Sequence, residues 1–286
     1  MRLTLIHNPG AGGGGWSAGR LVAALRAAGC EVAAVYAADD PELAERLAAA
    51  GVVAVAGGDG TVARIAKGLH GGDAAMAIIP SGGANNIACS LGIPPEPEAA
   101  IAMLRTARPR PFRLGRAIGA GCDRGFVESV GLGPIAREAW RMPDDGVTRE
   151  EKRERGRAVL REAVREAETI RAAAILDGEP LREATLMLEA MGIARVGPSL
   201  TVAPDADPGD AFLHVAWLPL ERRAAMVDWL DDPEAGPPPL CWTRARRVGL
   251  EIAGESLRID DDRIKAVVGK VVLEVVEPPL AVFSPP

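Results

Sequence analysis

The first hundred residues repeat one pattern: a short apolar run, a glycine-rich or acidic segment, then an amphipathic stretch. Leu3–His7 is the first apolar run. From Ser17 to Ala28 the period becomes helical, with Leu21, Val22, Leu25 and Ala28 on one stripe and Gly29 as the stop. Val32–Tyr36, Val52–Ala56 and Ala75–Ile79 predict three further strands. Between them, one helix opens at Asp39–Glu42 and runs to Ala50, and a second runs to Leu69 with Thr61 as its cap. Short apolar strands alternating with helices predict a parallel sheet covered by helices on both faces.

From about Gly115 the pattern changes. Ala117–Ile118, Gly125–Val130, Ala172–Leu176, Thr185–Glu189, Ser199–Ala203, Phe212–Leu218, Arg247–Ile252, Ser256–Ile259 and Val271–Val276 predict short strands, many separated by turn residues. Such spacing belongs to a mostly antiparallel sandwich or barrel. One helical insert, Thr148 to about Ile170, interrupts it. The expected organisation is therefore an α/β domain over residues 1–114 and an antiparallel β-sandwich domain over 115–276. At 286 residues the chain has room for both.

Composition removes several classes of function. Hydrophobic residues at 48% and charged residues at 25% argue against general disorder. A net charge of −6 excludes a generally basic nucleic-acid binder, although Arg105, Arg108, Arg110, Arg113 and Arg116 form a local run with no acid. No apolar run of membrane-spanning length occurs, and the start lacks a secretory h-region. Four dispersed cysteines and three dispersed histidines predict free thiols and no zinc site. A cytoplasmic protein without a stable protein partner or a nucleic-acid partner is the expectation.

Three glycine-rich segments follow predicted strands, and each suits an anion because glycine lets backbone N–H groups approach phosphate oxygens. The first is Asn8-Pro9-Gly10-Ala11-Gly12 and the glycines after it. The second is Gly57-Gly58-Asp59-Gly60-Thr61, which holds one carboxylate beside a phosphate seat. The third is Pro80-Ser81-Gly82-Gly83-Ala84-Asn85-Asn86. Taken singly, each also has a plain reading: a flexible glycine loop for the first, a tight turn with a capping Thr61 for the second, and a turn with Asn caps for the third. At the C-terminal ends of parallel strands they would converge on one crevice. A Walker A loop is excluded, since no Gly-Lys-Ser/Thr follows.

The order and spacing of Asn8-Pro9, GGDGT at Gly57–Thr61 and PSGGANNIA at Pro80–Ala88 resemble the catalytic domain of the diacylglycerol kinase family, nearest in pattern to soluble bacterial lipid kinases. Thr201–Ala206 followed by Gly209–Val215, Ile259–Asp262, and Pro279–Pro285 are similar to later family segments. The resemblance implies transfer of the ATP γ-phosphate, with Mg²⁺, to a hydroxyl of a membrane lipid. It implies an active site between the two domains and a C-terminal tail, 277–286, that rejoins the first. It also implies roles. Asp260 is the general base and Asp59 the second catalytic acid; Asn8, Gly12, Gly57, Gly58, Gly60, Thr61, Gly82, Gly83 and Asn85 bind nucleotide; Asp210 is a metal ligand. The lipid is met at the inner membrane face, peripherally and transiently.

The sequence departs from the family pattern at several positions, and the resemblance implies that two of them, Asn86 and Arg113, replace acids that would share one Mg²⁺ network with Asp59. Gly83 stands for the family's Thr, Asn86 for an Asp, Arg113 for an Asp, Glu189 for an Asn, and Asp-Asp-Asp at 260–262 for Asp-Gly-Glu. Arginine cannot ligate Mg²⁺; Arg113 is instead expected to pair with Asp59 or to meet a phosphate. Two alternatives follow: a non-catalytic relative that binds nucleotide or lipid, and a small-molecule kinase that shares only GGDGT. The 148–170 helix carries charges of both signs and is expected to be an ordinary amphipathic helix, and Asp177-Gly178 a hairpin turn.

Overall fold

The structure, a computed structural model, describes residues 1–11, 15–138 and 148–286. In chain order its elements are β1 (Arg2–His7), α1 (Ala18–Ala27), β2 (Glu31–Ala37), α2 (Leu43–Leu47), β3 (Val52–Gly57), α3 (Asp59–Leu69), β4 (Ala75–Pro80), α4 (Asn86–Ser90), α5 (Pro97–Met103) and β5 (Arg108–Phe112). Next come β6 (Gly115–Gly119), β7 (Cys122–Phe126), β8 (Ser129–Leu132), α6 (Pro134–Glu138), α7 (Arg149–Arg165), β9 (Ala172–Leu176), β10 (Glu179–Pro180) and β11 (Thr185–Met191). The chain continues through β12 (Arg195–Val196), β13 (Leu200–Thr201), β14 (Leu213–Pro219), α8 (Arg223–Trp229), β15 (Cys241–Ala245), β16 (Arg247–Ile259), β17 (Asp262–Val275) and β18 (Leu280–Ser284). It divides into two units, residues 1–113 with 277–286, and residues 114–276.

The first unit is built on a six-stranded sheet in the order β2-β1-β3-β4-β18-β5. All neighbours are parallel except β18 and β5. Strands β3 and β4 are buried at five of six positions, as expected of strands covered on both faces. Helix α1 lays Leu21 and Leu25 onto Leu3, Leu5, Ala54 and Ala77, and Ser17 caps it by accepting from the Arg20 N–H. Two expectations change here. The helix after Asp39 spans only Leu43–Leu47. Helix α3 opens at Asp59 with Gly58 as its cap, so Thr61 lies inside the first turn and its hydroxyl is used elsewhere.

The second unit is an antiparallel ten-stranded sheet in which β16 is the hub, pairing with β17 on one side and with β8 and then β9 on the other. The sequence predicts strands at 247–252 and 256–259; these are one strand, bulged at Gly254 with φ +83°. The predicted 125–130 strand is two, because the Val127 and Glu128 N–H groups turn away to a carboxylate. Only Leu200–Thr201 of the predicted 199–203 strand is paired. Strands β6 to β9, β11 and β14 to β17 contribute to one apolar core that includes Phe126, Leu188, Val248, Leu257 and Leu273. The outer face of β11 and β14 is covered by helices. Helix α7 begins at a Thr148–Glu151 capping box and buries Leu160 and Val164 against Met226 and Leu230, which explains its apolar stripe. Asp177 (φ +50°) and Gly178 (φ +95°) form the β9–β10 hairpin turn.

Candidate functional site

In the first unit the loops after β1, β3 and β4 are laced together. The Asn8 N–H donates to Ala56 O (2.9 Å), and Asn8 Nδ2 donates to Thr61 Oγ1 (2.8 Å). The Ser81 N–H donates to Gly57 O (3.0 Å), and the Ile87 N–H donates to Asp59 Oδ1 (3.0 Å). Asn85, left-handed at φ +55°, folds its amide back onto Gly82, accepting from its N–H (2.9 Å) and donating to its carbonyl (3.1 Å).

The glycines set how closely these loops approach. A Cβ on Gly82 would stand 2.4 Å from Gly58 Cα, and one on Gly57 would stand 2.7 Å from Thr61 Cβ. At Gly82 backbone meets backbone, while at Gly57 the backbone packs directly against the Thr61 side chain, and neither position has room for a Cβ. Gly60 lies in the first turn of α3. Gly83 differs, since nothing lies within 4 Å of its missing Cβ. Gly12 falls outside the described residues.

In the second unit Asp260 sits at the β16–β17 turn, buried and left-handed at φ +50°. Its Oδ1 accepts from the N–H of Val127 (2.9 Å) and of Glu128 (2.8 Å), and its own N–H donates to Ser129 O (2.9 Å). Arg258, two residues earlier, donates from Nη1 to the Asp260 carbonyl (2.6 Å) and from Nη2 to Ser129 Oγ (2.5 Å) and Glu189 Oε2 (2.7 Å). Both members of the Arg258–Glu189 pair are buried. Burial pushes the Glu189 carboxyl up, against the pull of Arg258.

Gly131 is part of this arrangement, because a Cβ there would lie 2.1 Å from Glu189 Oε1. Sequence reasoning marked Glu189 only as a departure and overlooked Arg258, Ser129 and Gly131. The available signal was a carboxylate inside Thr185–Met191, a strand buried at all seven positions.

Asp210, the implied metal ligand, has other partners. Its Oδ2 lies 3.4 Å from Arg244 Nη1 and 3.6 Å from His214 Nε2. Among the described residues no group of three or more His, Cys, Asp or Glu side chains could hold an ion. A carboxylate already facing a guanidinium is a poor donor for a divalent cation, so the residues at Asp210 do not fit a resident metal. Asp59 is the carboxylate at the glycine loops, and it would suit an Mg²⁺ whose other ligands were phosphate oxygens and waters, since such an ion needs only one or two protein carboxylates. Burial holds the His214 imidazole below its ordinary value, with Asp210 opposing. Arg113 donates from Nε to Glu277 Oε1 (3.0 Å), across the point where the chain re-enters the first unit.

Comparison with known proteins shows what the chain is similar to. Residues 2–117 match the model of the diacylglycerol kinase catalytic domain. That span contains all three glycine loops. A Pseudomonas aeruginosa protein described as "Probable lipid kinase YegS-like" is 46% identical over 96 residues, 31% of this chain and 32% of the relative. A Pseudomonas putida protein of the same description is 44% identical over 78 residues, 26% of each. These matches span a third or less of the curated relatives. In fold, a diacylglycerol kinase from Bacillus anthracis str. Sterne superposes with a TM-score of 0.73 at 17% identity, covering 100% of this chain and 97% of that one. An NAD kinase from Archaeoglobus fulgidus, solved with ATP, reaches 0.53 at 15% identity, covering 99% and 94%. Both units of the chain therefore have the diacylglycerol kinase fold, while the family-model match lies almost wholly in the first.

Proposed function

We propose that this chain binds ATP through the glycine loops of its first unit and transfers the γ-phosphate to a hydroxyl of diacylglycerol or a related lipid. The carrying observation is the backbone contact between Gly58 and Gly82, at loops tied by Asn8–Thr61 and Asp59–Ile87. Peptide N–H groups at such loops suit phosphate oxygens because they carry positive dipoles and need no charge of their own. Phosphoryl transfer then asks mainly for orientation and for a carboxylate to take the acceptor proton. Asp260 supplies that carboxylate in this reading, with its position fixed by the Val127 and Glu128 N–H groups. Mg²⁺ would neutralise phosphate charge when bound, and Asp59 is the residue that would hold it. In this reading contact with the membrane is peripheral; no helix among the described residues is long and apolar enough to cross one.

A second reading has support of its own. Arg113 is engaged by Glu277, and Asn86 stands buried where the family pattern has an acid. Both favour a relative that binds nucleotide without efficient transfer. One experiment separates the two: transfer of labelled γ-phosphate from ATP with Mg²⁺ to a panel of lipids in mixed micelles, with NAD as a soluble acceptor, alongside calorimetric titration of ATP. The kinase reading expects labelled lipid that disappears in Asp260→Asn while ATP affinity is unchanged. ATP binding with no labelled product on any acceptor would establish the second reading. Unchanged ATP affinity in a folded Gly58→Val protein would remove the nucleotide site from both.

A further inference from the structure

We infer that Arg258 is a positioning residue for the proposed reaction: anchored by Glu189, it holds Asp260 where that carboxylate can take the acceptor proton. The inference rests on the role given to Asp260 above and adds the groups that keep it in place. Asp260 lies in the two-residue turn between Ile259 and Asp262, which pair across β16 and β17. Asp261 and Asp262 are exposed, yet Asp260 is buried. Its φ of +50° is a left-handed conformation that a residue with a Cβ keeps only where its surroundings enforce it.

Three sets of bonds enforce it. The Asp260 N–H donates to Ser129 O, and the Asp260 carboxylate accepts from the Val127 and Glu128 N–H groups. The third side is the Asp260 carbonyl, which accepts from Arg258 Nη1 at 2.6 Å. Arg258 Nη2 donates to Ser129 Oγ at 2.5 Å, so one guanidinium grips both the residue that carries the carboxylate and the residue that receives its N–H. A planar fork reaches acceptors spread in this way, whereas a lysine nitrogen is a single point. Glu189 Oε2, 2.7 Å from Nη2, is the counter-charge that lets the guanidinium stay buried. A buried ion pair stabilises a fold little more than apolar residues of the same volume. Stability alone is therefore a weak reason for this one, and its place against the Asp260 main chain supplies a stronger reason. Every residue of the arrangement belongs to the second unit, so the glycine loops do not depend on it.

The test joins kinetics to amide hydrogen exchange in the full chain. The Glu189→Met/Arg258→Met protein removes the grip without leaving a buried charge. Its kcat for lipid phosphorylation should fall roughly 100-fold, the effect of misplacing a reacting group by about 1 Å, with the KM for ATP unchanged. Exchange of the Val127 and Glu128 amides should quicken at least about tenfold, while amides of β14 keep their rates. Arg258→Lys keeps the charge without the fork and carries the test if the double variant does not fold. It should lose about tenfold in kcat, again at constant KM, with the same two amides quickened. Wild-type kcat in both variants would overturn the inference. So would a fall in kcat with unchanged exchange at Val127 and Glu128, since Arg258 would then act other than by holding Asp260. The exchange measurement needs neither ATP nor lipid. A natural chain that phosphorylates no acceptor, but whose two amides quicken in these variants, would count against the proposed reaction and leave the hold on Asp260 established.

Discussion

The glycine loops of the first unit and the Asp260 cluster of the second fix chemical groups in opposite ways. The loops use backbone: glycines remove side chains, and peptide groups are brought together by short hydrogen bonds between neighbouring strand ends. The cluster uses side chains from three distant stretches of sequence, Ser129, Glu189 and the Arg258–Asp260 segment, brought together by strand register. The first kind of site tolerates little added volume. The second tolerates little change of charge, because a buried ion is costly unless its partner is present.

This contrast can be broken most directly at the buried pair. Arg258→Met should destabilise the protein by about 3–5 kcal/mol, because the buried Glu189 carboxyl loses the partner that satisfies it. The Glu189→Met/Arg258→Met protein should recover most of that loss, as measured by urea unfolding. If the double variant were as unstable as the single one, the pair would matter for its shape rather than its charge.

Volume is the next handle. Gly131→Ala should cost about 1–3 kcal/mol by driving a methyl group into the Glu189 carboxylate, with no effect on nucleotide. Gly82→Ala should instead part the Gly58 and Gly82 backbones and weaken ATP binding at least about tenfold, or about 1.4 kcal/mol. Gly83→Ala, whose Cβ meets open space, should change either quantity by no more than about 0.5 kcal/mol. Calorimetric titration with parallel unfolding curves checks all three.

Restoring the family's acids tests the loops from the side of charge. Arg113→Asp alone would set two carboxylates together, since Glu277 lies 3.0 Å from the Arg113 guanidinium. The informative protein is therefore Asn86→Asp/Arg113→Asp/Glu277→Gln. Its lipid phosphorylation should rise about tenfold over the natural chain, the equivalent of about 1.4 kcal/mol in the barrier. Equal or lower turnover would show that the site works without those acids.

The smallest effect is a pH dependence in the second unit. Burial holds the folded His214 pKa below the unfolded value, so the neutral ring contributes stability that is fully present above about pH 6.5 and is lost as pH falls through the lowered value. His214→Gln should flatten the stability profile between about pH 7 and pH 5, followed by thermal unfolding. Glu189 acts in the opposite sense. Its raised pKa contributes stability that is fully present below the ordinary Glu value and is lost as pH rises through the folded value.

The sequence by itself determined the alternating α/β unit, because strand, glycine loop and helix are each written within a dozen residues and parallel pairing demands the helices between them. It also determined that Gly57, Gly58 and Gly82 matter, since a loop that must bring backbones together can be made only with glycine. Helix ends were less legible: whether Thr61 caps α3 depends on the Asn8 amide, which lies fifty-three residues away. What only the tertiary structure decided was where charges go. Arg113 faces Glu277 because β18 returns to the first sheet beside β5. Asp210 faces Arg244 because β14 and β15 pair in one register, which sets His214 opposite Arg244. Arg258 reaches Glu189 because β8 lies between β16 and β11 and carries glycine at position 131. Local propensity carries no information about such partners, because strand register is fixed by the packing of the whole sheet.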